Sequence, residues 1–149
     1  TSTATARSPA WNKLRTRPFD LVVAAALYDQ AGRVLIAQRP AGKHMAGRWE
    51  FPGGKVGLNE TESAALAREL REDLGVDVTA ARPLMRLTHS YDDRDVELSL
   101  WIIEQFSGTP AALDAQQLKW VVPEQLPAED ILEADQPFIA ELIDLPAPL

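Results

Sequence analysis

A single α/β or α+β sandwich is what this sequence predicts, and three observations carry the prediction. The patterns along the chain run in the order strands, helix, strands, helix. A length of 149 residues makes one domain, able to bury about two thirds of the surface its unfolded chain exposes. Hydrophobic residues at 46% and charged residues at 25% are ordinary globular values, which removes the disordered and fibrous classes. No repeat or linker divides the chain.

The first seventeen residues, TSTATARSPAWNKLRTR, are polar and contain Pro9, so a loose tail is expected over 1–17 and a folded domain over 18–149. FDLVVAAALY, from Phe19 to Tyr28, reads as a buried strand. Asp29 to Gly32 is turn chemistry and VLIAQ, from Val34 to Gln38, is a second strand, so a hairpin is expected. Pro40 to Arg48 reads as a loop and Trp49 to Phe51 as a short strand. Pro52-Gly53-Gly54 is expected to end regular structure. Thr61 to Leu74 is the strongest helix. It has Asn59 or Thr61 as candidate N-cap, Gly75 as C-terminal stop, and an expected apolar stripe of Ala64, Ala67, Leu70 and Leu74. Val76 to His89 and Val96 to Phe106 are extended, the second alternating at Val96, Leu98, Leu100 and Ile102. Trp120 to Val122 is a further strand, and a last helix runs from about Pro137 to Ile143.

Several function classes are excluded at this stage. With no cysteine, disulfides, thiolate metal sites and cysteine nucleophiles are absent together. No apolar run approaches the ~18 residues of a membrane span, and the N-terminal stretch lacks the apolar centre of a secretory signal. A cytoplasmic protein without a membrane partner is therefore expected. The net charge of −7 argues against a nucleic acid polymer as partner. It also means that a polyphosphate ligand would need a bound cation to reverse the local field.

Glu69, Glu72 and Asp73 stand at i, i+3 and i+4 on the central helix, on one face and, by this reading, opposite the apolar stripe. Like charges so placed repel, and a cation would complete them. Dense oxygen donors suit Mg²⁺ or Mn²⁺ rather than zinc. Taken alone, such a segment also reads as a solvated face with Arg68 and Arg71 as partners. Upstream, Gly53-Gly54 permits either close backbone approach to a ligand or a plain tight turn. His44 and His89 have no partners that form a triad or zinc site and read as structural.

Together, GKVGLNETESAALARELREDLGV from Gly54 to Val76 resembles the Nudix signature G-x5-E-x7-R-E-U-x-E-E-x-G-U, with U aliphatic. Gly54, Glu60, Arg68, Glu69, Leu70, Glu72, Gly75 and Val76 fall on the pattern; Asp73 stands where the family has Glu. AQRPAGKHMAGRWEFPGGK, from Ala37 to Lys55, is similar to the MutT branch of that family. The resemblance implies a Nudix-type α/β/α sandwich with a mixed sheet and a signature loop-helix-loop. It implies a metal set of Gly54 (by its carbonyl), Glu69, Glu72 and Asp73, with Glu69 or Glu72 also activating water. Arg68 would hold the carboxylates and Glu60 the loop. Asp114 matches a further metal or base position, or is an ordinary loop aspartate. Arg39, Phe51 and Lys55 match nucleotide-contacting positions, although Phe51 also reads as core and Lys55 as solvated. Asp135 stands where the branch places a base-reading asparagine, or else caps the final helix. The implied reaction is Mg²⁺-dependent hydrolysis (Mn²⁺ as substitute) of a nucleoside triphosphate to monophosphate and pyrophosphate. 8-oxo-dGTP is the first expected substrate and CTP or dCTP the second; a silent Nudix-fold binding module is a third reading. A monomer or homodimer is expected.

Overall fold

The computed structural model describes residues 19–148, so the expected tail over 1–17 lies outside the described residues. The chain forms β1 (Phe19–Ala26), β2 (Val34–Gln38), β3 (Trp49–Glu50), β4 (Gly53–Lys55), α1 (Glu62–Leu74), β5 (Asp77–Ser90), β6 (Asp95–Ser107), β7 (Gln117–Val121) and α2 (Gln136–Asp144), with 3₁₀ turns at Pro123–Ala128 and Glu133–Asp135. No helix among the described residues is long and apolar enough to cross a membrane.

Two sheets form. A mixed sheet has the order β4-β1-β6-β5, and a three-stranded sheet has the order β3-β2-β7. β1 runs parallel to β6 and antiparallel to β4. The expected β1–β2 hairpin is therefore corrected: the two strands belong to different sheets. Only the tip pairs, through the Tyr28–Val34 bridge and the Leu35 amide on the Leu27 carbonyl at 2.9 Å. The turn prediction holds, since the Asp29 carboxylate accepts from the Ala31 and Arg33 amides. The local chemistry closes the turn, but the pairing partners that win for β1 are distant in sequence.

The near-continuous apolar run of β1 is explained by burial on both faces. Val23, Ala25 and Leu27 pack with Leu66, Leu70 and Leu74 of α1, whereas Ala24, Ala26 and Tyr28 join Phe138 and Leu142 of α2. β6 divides its residues in the same way, with Leu98, Leu100 and Ile102 toward α2 and Ile103 toward α1. The result is helix, sheet, helix: the expected α/β/α sandwich with a mixed sheet.

Two further expectations are corrected. Pro52-Gly53-Gly54 does not end regular structure, because Gly53 and Gly54 pair with Ala24 and Val23. A Cβ on Gly53 would lie 1.9 Å from the Val23 carbonyl oxygen, so glycine is required for the strands to meet. On α1 the buried residues are Ala65, Leu66, Leu70 and Leu74, while Ala64 is exposed. Leu66 in place of Ala64 turns the apolar stripe, because the larger side chain buries more area. The carboxylates therefore border the stripe and do not oppose it.

The helix ends match their signals. Thr61 accepts from the Ala64 amide at 3.1 Å, and Gly75 adopts the left-handed conformation with φ 72°. Thr61→Ala should lower unfolding free energy by about 1 kcal/mol with an unchanged denaturant slope, as for loss of a side-chain N-cap. Urea titration checks this; an unchanged midpoint would show the cap to be energetically idle.

Candidate active site

The site is built around the junction of β4 and α1. Pairing of Val23 with Gly54 carries the Gly54 backbone under the Glu69 side chain of α1. A Cβ at Gly54 would meet the Glu69 carboxyl carbon at 2.4 Å. Glycine here lets a carboxylate rest directly on the strand.

Arg68 organises the acids. Its Nε and Nη2 donate to the two Glu60 oxygens at 2.7 and 2.9 Å. Its Nη1 donates to Glu69 at 3.0 Å and Glu72 at 3.2 Å, and Nη2 also reaches the Lys55 carbonyl at 3.1 Å. Glu60 in turn accepts from the Gly57 amide at 2.8 Å. The bidentate Arg68 contact and that amide hold the Glu60 carboxyl down at about 2, and the Glu60 and Glu69 carboxylates hold the Arg68 guanidinium above its usual range. The Gly54–Val76 stretch thus ties strand, loop and helix together through one guanidinium.

Asp73 has the opposite environment. Burial, then the charge and hydrogen bond of Glu69, then Asp114 and Glu72, push its carboxyl up to about 7. Among the described residues no three acidic or imidazole side chains already converge as a metal cage. Asp73 lies against Glu69, while Glu72, 58% exposed, shares the Arg68 Nη1 with Glu69. Asp114 is exposed on the loop before β7, yet it lines the same cavity as Gly54, Glu69 and Asp73.

Two adjoining cavities of about 410 and 370 Å³ share Val22, Arg39, Glu50, Lys55, Leu98 and Asp135. The second continues to Gly54, Glu69, Asp73 and Asp114. The first is walled by Tyr91, Met45, His44, Leu132 and Ala134. Asp20, Asp93 and Arg94 also line it, so a lobe of mixed apolar and charged walls adjoins an acidic one. Arg39 and Lys55 stand at their common boundary, Arg39 3.3 Å from Glu50 and Lys55 3.6 Å from Asp20. His44 also offers its carbonyl to Arg39 at 3.1 Å, and His89 lies edge-on to Tyr91 with ring centroids 4.6 Å apart.

Phe51 and Asp135 are joined. The Phe51 amide donates to Asp135 Oδ2 at 2.9 Å. The Phe51 ring is 3% exposed and lies 6.4 Å from the Phe138 ring, so it is a core aromatic that also borders the cavity. Asp135 is 5% exposed and makes no side-chain cap hydrogen bond to α2, which sets aside the capping alternative. Burial raises its carboxyl to about 7; the Phe51 amide opposes that shift and the Glu50 charge adds to it. Sequence reasoning missed Glu50 and Tyr91. Glu50 is an acid inside an aromatic strand, a visible signal; burial raises its carboxyl and Arg39 opposes the rise.

Residues 23–141 match the NUDIX domain family. The chain belongs to that family and is a Nudix hydrolase. It is similar to the CTP pyrophosphohydrolase of Escherichia coli (strain K12), 38% identical over 84% of this chain and 93% of the relative. It is also similar to the 8-oxo-dGTP diphosphatase of the same organism, 33% identical over 76% of this chain and 88% of the relative. A solved structure from work on MutT of Aliivibrio salmonicida and Vibrio cholerae superposes with a TM-score of 0.74 and 29% identity, covering 85% of this chain and 98% of that one.

The Asp135 environment has a consequence for stability. A carboxyl raised above its unfolded value stabilises the folded state most below about pH 4 and loses that contribution as pH rises toward 7. Asp135→Asn removes the titration. Its melting temperature should therefore gain on that of the parent between pH 5 and pH 8. Parallel curves would mean that Asp135 is ionised throughout that range.

Proposed function

We propose that this chain hydrolyses nucleoside and deoxynucleoside triphosphates to the monophosphate and pyrophosphate, and that 8-oxo-dGTP is its preferred substrate, as in sanitation of the nucleotide pool. The observation that carries this reading is the adjoining pair of cavities: one of about 410 Å³, sharing Arg39, Lys55 and Asp135 with the lobe of Glu69, Asp73 and Asp114. The donor set fits a hard divalent cation: carboxylate oxygens, the Gly54 backbone held beneath Glu69, and no competing thiolate. Glu69, Glu72, Asp73, Asp114 and the Gly54 carbonyl would hold Mg²⁺ or Mn²⁺, which when bound neutralises polyphosphate charge and acidifies water.

The protein's own groups supply the rest. Arg39 and Lys55 bring positive charge to the anionic chain. Arg68 keeps Glu69 and Glu72 aligned, and one of these two takes the proton of the water that attacks the β-phosphorus. Substitution at phosphorus needs alignment and charge neutralisation more than a covalent intermediate, so no serine or histidine nucleophile is required. Loss of one principal electrostatic group costs about 10²-fold or more. Glu72→Gln should thus lower kcat by at least about 10²-fold while the variant still folds, since it removes one of several repelling charges. Pyrophosphate release measured with Mg²⁺ checks this; near-parent turnover would remove Glu72 from the machinery.

Asp135 Oδ2 is engaged by Phe51, leaving Oδ1 for the base. Ionised, it accepts the N7–H that separates 8-oxoguanine from guanine; protonated, it donates to a keto oxygen. A carboxyl raised to about 7 has both forms near neutrality. The second reading, CTP or dCTP, is favoured by the cytosine amino group as a donor to ionised Asp135 and by the 38% identity to a CTP pyrophosphohydrolase. Asp135→Asn should change the ratio of kcat/KM for 8-oxo-dGTP and dCTP by about tenfold or more, equivalent to one hydrogen bond. An unmoved ratio would take base reading away from Asp135.

A further inference from the structure

The last carbonyls of a helix lack partners within it. At the end of α1, the Ala111 amide donates to the Leu74 carbonyl at 2.9 Å and the Leu113 amide to the Asp73 carbonyl at 3.1 Å. Gln116 adds a third link. Its Nε2 donates to the same Asp73 carbonyl at 3.1 Å, while its Oε1 accepts from the Asp114 amide at 2.8 Å. Between Asp114 and Gln116, Ala115 takes a left-handed backbone with φ 59°, at the turn where the Gln116 side chain meets the Asp114 amide. One amide group therefore holds the main chains of both Asp73 and Asp114, and all three residues line the acidic cavity.

We infer that Gln116 is a positioning residue that sets Asp114 against Asp73, so that the loop acid and the helix acids present one cation site. This rests on the reading of Asp73 and Asp114 as metal-holding groups. The chemistry requires such a brace. Asp114 sits on an exposed loop yet lines the same cavity as Asp73. Carboxylates gathered on one cavity need a main-chain link to keep them together. A side-chain amide can do so because it is neutral and carries both a donor and an acceptor. Removing such supporting partners typically costs 10–100-fold in metal affinity.

The test measures Mn²⁺ binding to the nucleotide-free protein by electron paramagnetic resonance, with melting temperature as the control for folding. It compares the parent, Asp114→Asn, Gln116→Ala, Gln116→Met (which keeps the bulk but not the amide) and Asp114→Asn/Gln116→Met. The inference expects Asp114→Asn and both Gln116 variants each to weaken Mn²⁺ binding by about 10-fold or more. It expects the double variant to be no worse than Asp114→Asn, because Gln116 acts through Asp114. If Asp114→Asn binds Mn²⁺ as the parent does, the reading of Asp114 fails and the inference falls with it. If Asp114→Asn loses affinity but the Gln116 variants lose only thermal stability, Gln116 is a helix cap alone and only the inference is overturned. Additive losses in the double variant would also overturn it, since Gln116 would then act independently of Asp114.

Discussion

Like charge must be gathered in one place without the fold being driven apart, and this constraint governs the structure around α1. Glu60, Glu69, Glu72, Asp73 and Asp114 all lie at or beside the end of β4 and one side of the helix. Arg68 meets three of them, and its planar fork gives Glu60 two parallel hydrogen bonds that a lysine could not supply. The guanidinium also holds the Lys55 carbonyl. The register of β4 on β1 and the seating of α1 are thus coupled to charge balance. Arg68 does not reach Asp73, and there burial and the neighbouring Glu69 push the carboxyl up to about 7.

The glycines are the steric counterpart of that constraint. Gly53 brings β4 onto the Val23 backbone, and Gly54 leaves the volume that the Glu69 carboxylate fills. Any side chain at Gly54 would push Glu69 off the strand and break its alignment with Arg68. β1, buried on both faces, is the rigid plate against which this is set, with the helix carrying the acids on one side and the helix following Asp135 on the other. The two cavities meet over β1 and β6 at Val22 and Leu98, the acidic one continuing to α1, and Lys55 at the end of β4 borders both.

Much of this was legible in the sequence, because local chemistry sets it. Thr61, Gly75 and the Asp29 turn act through neighbours a few residues away, and the Arg68–Glu60 bond lies within the signature stretch. What failed depended on long-range pairing. Nothing in FDLVVAAALY says that its partners are β6 and β4 and not β2, since apolar runs buried on both faces carry no alternation to fix their neighbours. The first half of the stripe on α1 was misplaced because alanines at helical spacing mimic a core face that Ala65 and Leu66 in fact provide. Gln116 was invisible for a different reason: its role depends on a loop folding back over a helix end, and glutamine carries no charge to attract notice.

Asp135 shows how far from the signature a wall of the same cavities can be set. A parallel bridge between Trp49 and Ile131, with the Arg48 guanidinium on the Ile131 carbonyl, lays the segment before α2 along β3. That contact brings Asp135 to the Phe51 amide, eighty-four residues away in sequence. The carboxyl is then buried at a cost that one amide only partly offsets, which is why it holds its proton to about pH 7. A core position that retains an unfavourable acid, with an isosteric asparagine available to take the same amide bond, gains nothing in stability from it. On the proposed reading, the gain lies in what the remaining oxygen would do toward a ligand: accept or donate according to its proton, which a fixed amide does with two separate atoms. On that same reading, reaction and selection are divided between α1 and the segment before α2, so the end that would read the base can change without disturbing the charge balance that Arg68 maintains.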